Sequence, residues 1–331
     1  MTRVVSLFLP SWSTDRLRRK GGDAAPPLEA PLILIGREGS RRVVVSADAA
    51  AQAAGLRPGM PVAKAQVLVR DLLIQDADPV ADFEALERLA LWVLQRFAPI
   101  VAVDGDDGIV IDTTGADHLH GGEEAMLDAL IGRLAMSGIS ARAAVADSWG
   151  AAHAFARYVA QPAFVAAPGH CPATISPLPL EALRLPAAMT HDLRVLGFEW
   201  IGDLLLQPRA PLTLRFGPEL GRRLDQAIGA AAEPIDPVRP ADLIEVRRSF
   251  AEPIGAAETI ARYIGKLVVA LCERLEEMDL GARRLDLHLR RVDNQRQAIR
   301  VGMAVPVRDA KRLTRLLCDR IETIDPGFGI E

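Results

Sequence analysis

The chain has 331 residues, 50% of them hydrophobic and 25% charged, with a formal net charge of -4. Such a chain is globular and long enough for two or more domains, which excludes a disordered or low-complexity protein. The charge balance excludes a global attraction for nucleic acid, so any polyanion-binding surface must be local.

The three cysteines, Cys171, Cys272 and Cys318, lie far apart and form no metal-binding pair, as expected of reduced thiols in a cytosolic protein. No apolar run approaches the length of a bilayer span. The apolar start from Arg3 to Leu9, closed by Pro10, reads as a buried first strand rather than a signal peptide. A cytoplasmic location is the expectation.

From Ser13 to Asp15 the chain offers a helix cap before Arg16–Lys20. Strands are expected over Pro31–Ile35 and Arg42–Ser46, then an alanine-rich helix over Ala47–Ala54. The breaker Gly55–Pro61 separates it from a helix over Val62–Val69, and Leu72–Gln75 reads as a strand. A long helix over Asp82–Phe97 carries Phe83, Leu86, Leu89, Ala90, Val93 and Leu94 at helical spacing. An acidic hairpin follows, with Asp104, Asp106 and Asp107 at a turn between Gly105 and Gly108, then the apolar run Ile109–Ile111 ending at Asp112. Acids at the end of an apolar strand can hold a divalent metal for phosphoryl transfer. They equally suit a solvated hairpin tip. A helix over Glu123–Met136, a strand over Ala141–Val145 and a helix over Ala151–Val159 complete a first part built on one mixed sheet.

Gln161–Pro179 is rich in proline and marks a boundary near residue 165. Short helices are expected over Leu180–Leu185, Thr190–Leu196, Ile201–Leu206 and Pro218–Ala231. Asp236, Pro237 and Pro240 mark a linker. The rest reads as a strand over Glu245–Phe250, a helix over Ala256–Met278, a hairpin of Arg283–Arg290 with Ala298–Val305, and a helix over Asp309–Ile324. The last sheet reads as unfinished, so a truncated domain is the expectation.

In this order the chain resembles the Y-family translesion DNA polymerases. The resemblance rests on Gly55–Pro61 as a fingers segment, on Ile111–Gly115, and on Leu196–Leu204 with Arg215–Gly217 and Gly221–Leu224 as a thumb. It implies a multidomain α+β chain with the right-hand architecture: a ferredoxin-like palm over 1–30 and 75–165, small fingers over 31–74, a helical thumb over 166–236, a linker over 237–243 and an α+β little finger over 244–331. Family members transfer nucleotides with two metal ions held by carboxylates. Here Phe8 and Pro10 stand where the resemblance puts the first acids, Asp107 is retained, and Gly108 replaces its acidic neighbour. Ala49 and Gln52 stand where a Tyr and an Arg would grip the triphosphate, and the segment Asp147–Gly150 supplies no Lys.

These losses resemble the ImuB branch of the family. They imply a non-catalytic scaffold of damage-induced translesion synthesis and mutagenesis that needs no metal or other cofactor. Its implied partners are primer–template DNA, an error-prone DnaE-class polymerase, an ImuA-type RecA-like protein and the sliding clamp. The last three are expected to bind through a region beyond this chain. An active nucleotidyl transferase using Asp104, Asp106, Asp107 and Asp112 is the alternative.

For DNA contact, Arg284, His288 and Arg290 alternate with Leu285, Leu287 and Leu289, so one strand face is apolar and the other basic, with Asp286 sharing it. Arg247 and Arg248 are expected to join that face. Gly217 starts a helix whose N-terminus, with Arg222 and Arg223 behind it, is a second candidate that Glu219 opposes. Asp117, His118 and His120 read as a loop rather than a metal cluster. Trp12, Trp92, Trp149 and Trp200 are expected to pack rather than stack on bases.

Overall fold

The computed structural model describes residues 2–114 and 120–331. Strand β1 (Val4–Phe8) is an unbroken apolar run and becomes the middle of a sheet, buried on both faces. Helix α1 (Trp12–Gly21) starts earlier than the expected cap at Ser13–Asp15. Asp15 is committed elsewhere: its carboxylate accepts the Ser140 N–H at 2.8 Å. Strands β2 (Leu32–Glu38) and β3 (Arg41–Ala47) form a hairpin, followed by α2 (Ala49–Ala53), α3 (Val62–Leu68) and β4 (Leu73–Asp76). These three strands make a small sheet of order β3-β2-β4. Asp48 caps α2 by accepting the Ala51 N–H and is itself held by Arg18.

Helix α4 (Pro79–Arg96), capped by Asp78 with Pro79 in its first turn, leads to β5 (Ile100–Asp104) and β6 (Gly108–Asp112). Then come α5 (Glu123–Met136), β7 (Arg142–Ala146), α6 (Trp149–Tyr158) and β8 (Ala163–Val165). The larger sheet has order β5-β6-β1-β7-β8, antiparallel except for β7 beside β8. On one face lie α4 and α5, around Leu86, Val93, Leu127 and Leu130; on the other lies α6, around Ala151 and Phe155.

Helices α7 (Cys171–Ile175), α8 (Ala187–Val195), α9 (Ile201–Leu205), α10 (Arg209–Phe216) and α11 (Pro218–Ile228) follow. They bury Leu193, Leu204, Leu220 and Leu224 against the α6 side of the sheet. Contact is closest where a Cβ on Gly150 of α6 would lie 2.9 Å from Ala227 Cα of α11.

The last part holds α12 (Ala257–Glu277), β9 (Ala282–Arg290), β10 (Arg296–Val307) and α13 (Ala310–Cys318). Two expectations fail here. Residues 245–250 make no strand, because no backbone partner lies beside them among the described residues; the isolated bridges nearby join Ile330 to Ile254 and to Arg291. The last helix stops at Cys318, where Asp319 adds negative charge to the negative end of the helix dipole. No helix among the described residues is long and apolar enough to cross a membrane.

Candidate active site and nucleic-acid interface

The acidic hairpin turns at Gly105, whose φ of +70° favours glycine. Its two strands bring the turn beside α6. That helix is mostly alanine where it packs on β1 and β7, and Ser148 caps it by accepting the Ala151 N–H. Three of its larger side chains, Trp149, His153 and Arg157, are spaced four apart and so share a face. Asp104 receives two of them. Its Oδ2 accepts from His153 Nδ1 at 2.8 Å and from Trp149 Nε1 at 3.1 Å. Burial works to raise the Asp104 pKa, but the His153 hydrogen bond and charge, with help from Arg157 and Trp149, bring it down to about 2. Burial pushes the His153 pKa below its usual value despite Asp104, and Arg157 and Arg184 push the same way.

Arg157 takes the third carboxylate-facing position. Its Nη2 donates to Asp107 Oδ1 at 2.5 Å, and its guanidinium carbon lies 4.6 Å from the centre of the Phe8 ring. Phe8 pairs with Gly108 across β1 and β6, so Phe8, Asp107 and Gly108 do meet at one point. A Cβ on Gly108 would lie 2.8 Å from the Asp104 carbonyl oxygen and 3.1 Å from Arg157 Nη2. There is room for glycine and little else.

These residues do not fit the paired metal ions of the family. The first-strand position is a phenyl ring with no oxygen to offer. Asp104 is occupied by two N–H donors, and Asp107 already faces a cation. Asp106 is exposed at the turn. Asp112 ends β6 opposite Val4 and Ile100, whereas Asp107 sits beyond the other end; at strand rise the two are roughly 17 Å apart. Among the described residues no group of three metal-ligating side chains occurs.

The expected triphosphate positions are equally committed. Gln52 Nε2 donates to the Ala47 carbonyl at 2.7 Å, and Arg57, the nearest guanidinium in that loop, donates to the Gln52 and Leu56 carbonyls. Ala49 offers only a methyl group. Asp147 holds Arg3 at 2.7 Å and the Gly169 N–H at 2.7 Å.

On the two-stranded sheet, Leu285 and Leu289 are buried against α12, and Arg284, His288 and Arg290 are exposed on the other face, as the alternation predicts. Much of that charge is matched. Arg300 clasps both oxygens of Asp286 at 2.7 Å, Arg296 meets Asp236 at 2.8 Å, and Arg290 meets Glu331 at 3.0 Å. Arg247 and Arg248 do not join this face. They lie on the segment beside α12, where Arg248 approaches the Tyr263 ring. On α11, Arg223 turns inward to Glu233 at 3.0 Å and Arg222 approaches Glu219 at 3.6 Å. Glu233 also receives Arg184, which stacks on Trp149.

In the sequence His153 reads as an isolated histidine, which its bond to Asp104 overturns, and Arg157 went unread. The signal was present: Trp149, His153 and Arg157 recur every four residues in this alanine-rich helix. Asp117 and His118 lie outside the described residues; His120 stacks on Phe97 and meets its carbonyl at 3.2 Å. The three cysteines are free thiols. Trp12 is buried and Trp200 is half exposed, one in the core and the other at its boundary.

The model of the impB/mucB/samB family matches residues 21–157, and that of the family's C-terminal domain matches residues 244–330. The chain belongs to the impB/mucB/samB family. It is 48% identical over 277 residues to Protein ImuB of Caulobacter vibrioides (strain NA1000 / CB15N), covering 84% of this chain and 60% of that protein. It thus spans less than two thirds of the length of this relative. DNA polymerase IV of Halorhodospira halophila (strain DSM 244 / SL1) is 27% identical over 292 residues, covering 87% of this chain and 81% of its own. Among solved structures, an insertion ternary complex of Dbh DNA polymerase superposes with a TM-score of 0.59 at 15% identity, covering 99% of this chain and 96% of that one. DinB from Sulfolobus solfataricus gives 0.56 at 16%, covering 97% and 93%. The fold is that of the Y-family polymerases.

Proposed function

We infer that this member of the family is a polymerase-like protein of DNA damage tolerance that holds primer–template DNA without extending it. In this reading the five-stranded sheet is the palm, the small sheet with α2 and α3 the fingers, α7–α11 the thumb, and the part from residue 244 the little finger. The observation that carries it is Arg157. A fixed guanidinium, stacked on Phe8 and paired with Asp107, supplies the positive charge that a polymerase takes from divalent ions. Two ions about 4 Å apart need several carboxylates converging on them, and among the described residues no three metal-ligating side chains come together. The partner roles implied by the resemblance, toward a DnaE-class polymerase, an ImuA-type protein and the clamp, belong to the same proposal.

The test is primer extension with Mg²⁺ or Mn²⁺ beside anisotropy on the same primer–template. Binding is expected in EDTA as in Mg²⁺, with no extension in either metal. Nucleotide incorporation that disappears in Asp107→Ala would overturn the reading in favour of a nucleotidyl transferase.

A further inference from the structure

Beside α12 the segment 245–250 leaves a groove of about 670 Å³. Its chemistry is uneven. At one end Arg274 pins the Glu245 carbonyl at 2.6 Å, with Glu273 and Glu277 nearby. At the other end Tyr263 sits among cations: Lys266 lies 5.1 Å, Arg262 5.3 Å and Arg248 5.9 Å from its ring centre, and Arg247 lines the same groove. Among the described residues none of these four cations has an acidic partner within ion-pair distance, unlike Arg290, Arg296 and Arg300 of the sheet. Phe250 holds the Tyr263 ring edge-to-face at 4.6 Å. Among the described residues the N–H groups of Arg247 and Arg248 make no backbone hydrogen bond, so they add donors beside Tyr263.

We propose that this end of the groove binds single-stranded DNA, with phosphates on Arg247, Arg248, Arg262 and Lys266 and a base against Tyr263. Unpaired cations around a braced aromatic ring are the combination that grips a flexible strand without reading its sequence. A duplex stacks its bases inside and has none to offer Tyr263. An acidic peptide would use the cations and leave the ring idle. The site is separate from the basic sheet face, because α12 packs on the inner face, around Leu285 and Leu289. It rests on the reading above that the chain holds DNA, and it adds a second place for the unpaired template.

The experiment is anisotropy of the full chain with a fluorescent oligothymidylate and, separately, with a blunt duplex, over a salt series. Tyr263→Ala is expected to weaken oligothymidylate binding on the order of tenfold, while Tyr263→Phe keeps it. Arg262→Glu with Lys266→Glu should reduce the slope of log K against log salt by about 1.4, roughly 0.7 for each phosphate lost. Duplex affinity should not change in any of them. Native-like circular dichroism confirms that the variants fold; the two charge reversals are at exposed positions. The groove assignment is overturned by oligothymidylate binding that is absent from the native chain or unaltered in the variants. It is also overturned if polyglutamate of equal charge displaces the oligothymidylate with equal affinity. Failure to bind the duplex, with variant-sensitive oligothymidylate binding intact, sinks the primer–template reading and leaves the groove standing.

Discussion

Arg300 donates from Nη1 to the carbonyl of Leu94, 206 residues earlier in the chain, at 2.6 Å. Leu94 lies in the last turn of α4, where carbonyls lack intrahelical partners and a cation is favoured. The same guanidinium grips Asp286, so one side chain fixes β9, β10 and α4 together. Arg296 ties the same face to Asp236 just before the linker, and the Val238 N–H reaches the Val101 carbonyl at 2.8 Å. Arg300→Ala should therefore free the last domain from the large sheet. Hydrogen exchange is expected to quicken in the last turn of α4, and proteolysis to quicken across residues 237–243, with the helix content unchanged. Asp286→Ala keeps the donation to Leu94, so it should leave the linker as protected as before.

Gly108 is a packing requirement as much as a lost acid. Adding one methyl group there drives Cβ to 2.8 Å from the Asp104 carbonyl and 3.3 Å from that of Leu7. Backbone oxygens held by strand pairing yield little. Gly108→Ala is expected to cost about 1–3 kcal/mol, the range for overpacking, as read from the urea midpoint. Adding Arg157→Ala should relieve only part of it, because one of the three close neighbours is removed. Phe8→Asp alone should not create a metal site, since Arg157 is already in place to neutralise a new carboxylate. Isothermal titration with Mn²⁺ checks this.

Acid should act through Asp104 and His153 in the same direction. The Asp104 pKa lies at about 2 in the folded chain against 3.8 as the ordinary value. Its stabilising effect, about 2 kcal/mol, is complete above about 4 and is lost as pH falls toward 2. The His153 pKa is lowered by burial. The unfolded chain therefore takes up that proton first, and stability also declines as pH drops below about 6.5. His153→Gln should remove the upper limb and weaken the lower one. Urea unfolding at steps between pH 7 and pH 3 separates the two; a flat profile for the native chain would contradict the assignment.

Most of the architecture was legible in the sequence because it is written in periodicity. The run Val4–Phe8, the stripe on α4 and the leucine alternation on β9 each state which face is buried. What periodicity cannot state is which distant groups meet. Asp15 reads as a cap and bonds to Ser140; His153 reads as isolated and holds Asp104. Residues 245–250 have a strand's composition, but a strand exists only beside a neighbour, and composition does not supply one. The basic face of β9 was also read correctly as a face, whereas the neutralisation of Arg296 by Asp236 and of Arg290 by Glu331 depends on chain folding back from elsewhere.

The joint between α6 and α11 offers the sharpest mechanical test. Gly150 lets the two helices approach until their backbones nearly touch: an added Cβ would lie 2.9 Å from Ala227 Cα, 3.0 Å from its nitrogen and 3.1 Å from the Gln226 carbonyl carbon. All three are main-chain atoms, so no rotamer change can relieve them. Gly150→Ala must push α11 away from α6 or strain both, at an expected cost of about 1–3 kcal/mol. Displacement would also stretch the bridge from Trp149 through Arg184 to Glu233 and Arg223. Trp149 fluorescence reports on this once Trp12, Trp92 and Trp200 are replaced by Phe in all variants compared. In Gly150→Ala its emission should shift to the red as the stacked guanidinium loosens and water enters. Ala135→Gly, far from the joint on α5, should lower the urea midpoint through helix propensity alone, by about 1 kcal/mol, with the emission unmoved. If both variants lose stability and neither shifts the spectrum, α6 and α11 are not coupled through this bridge.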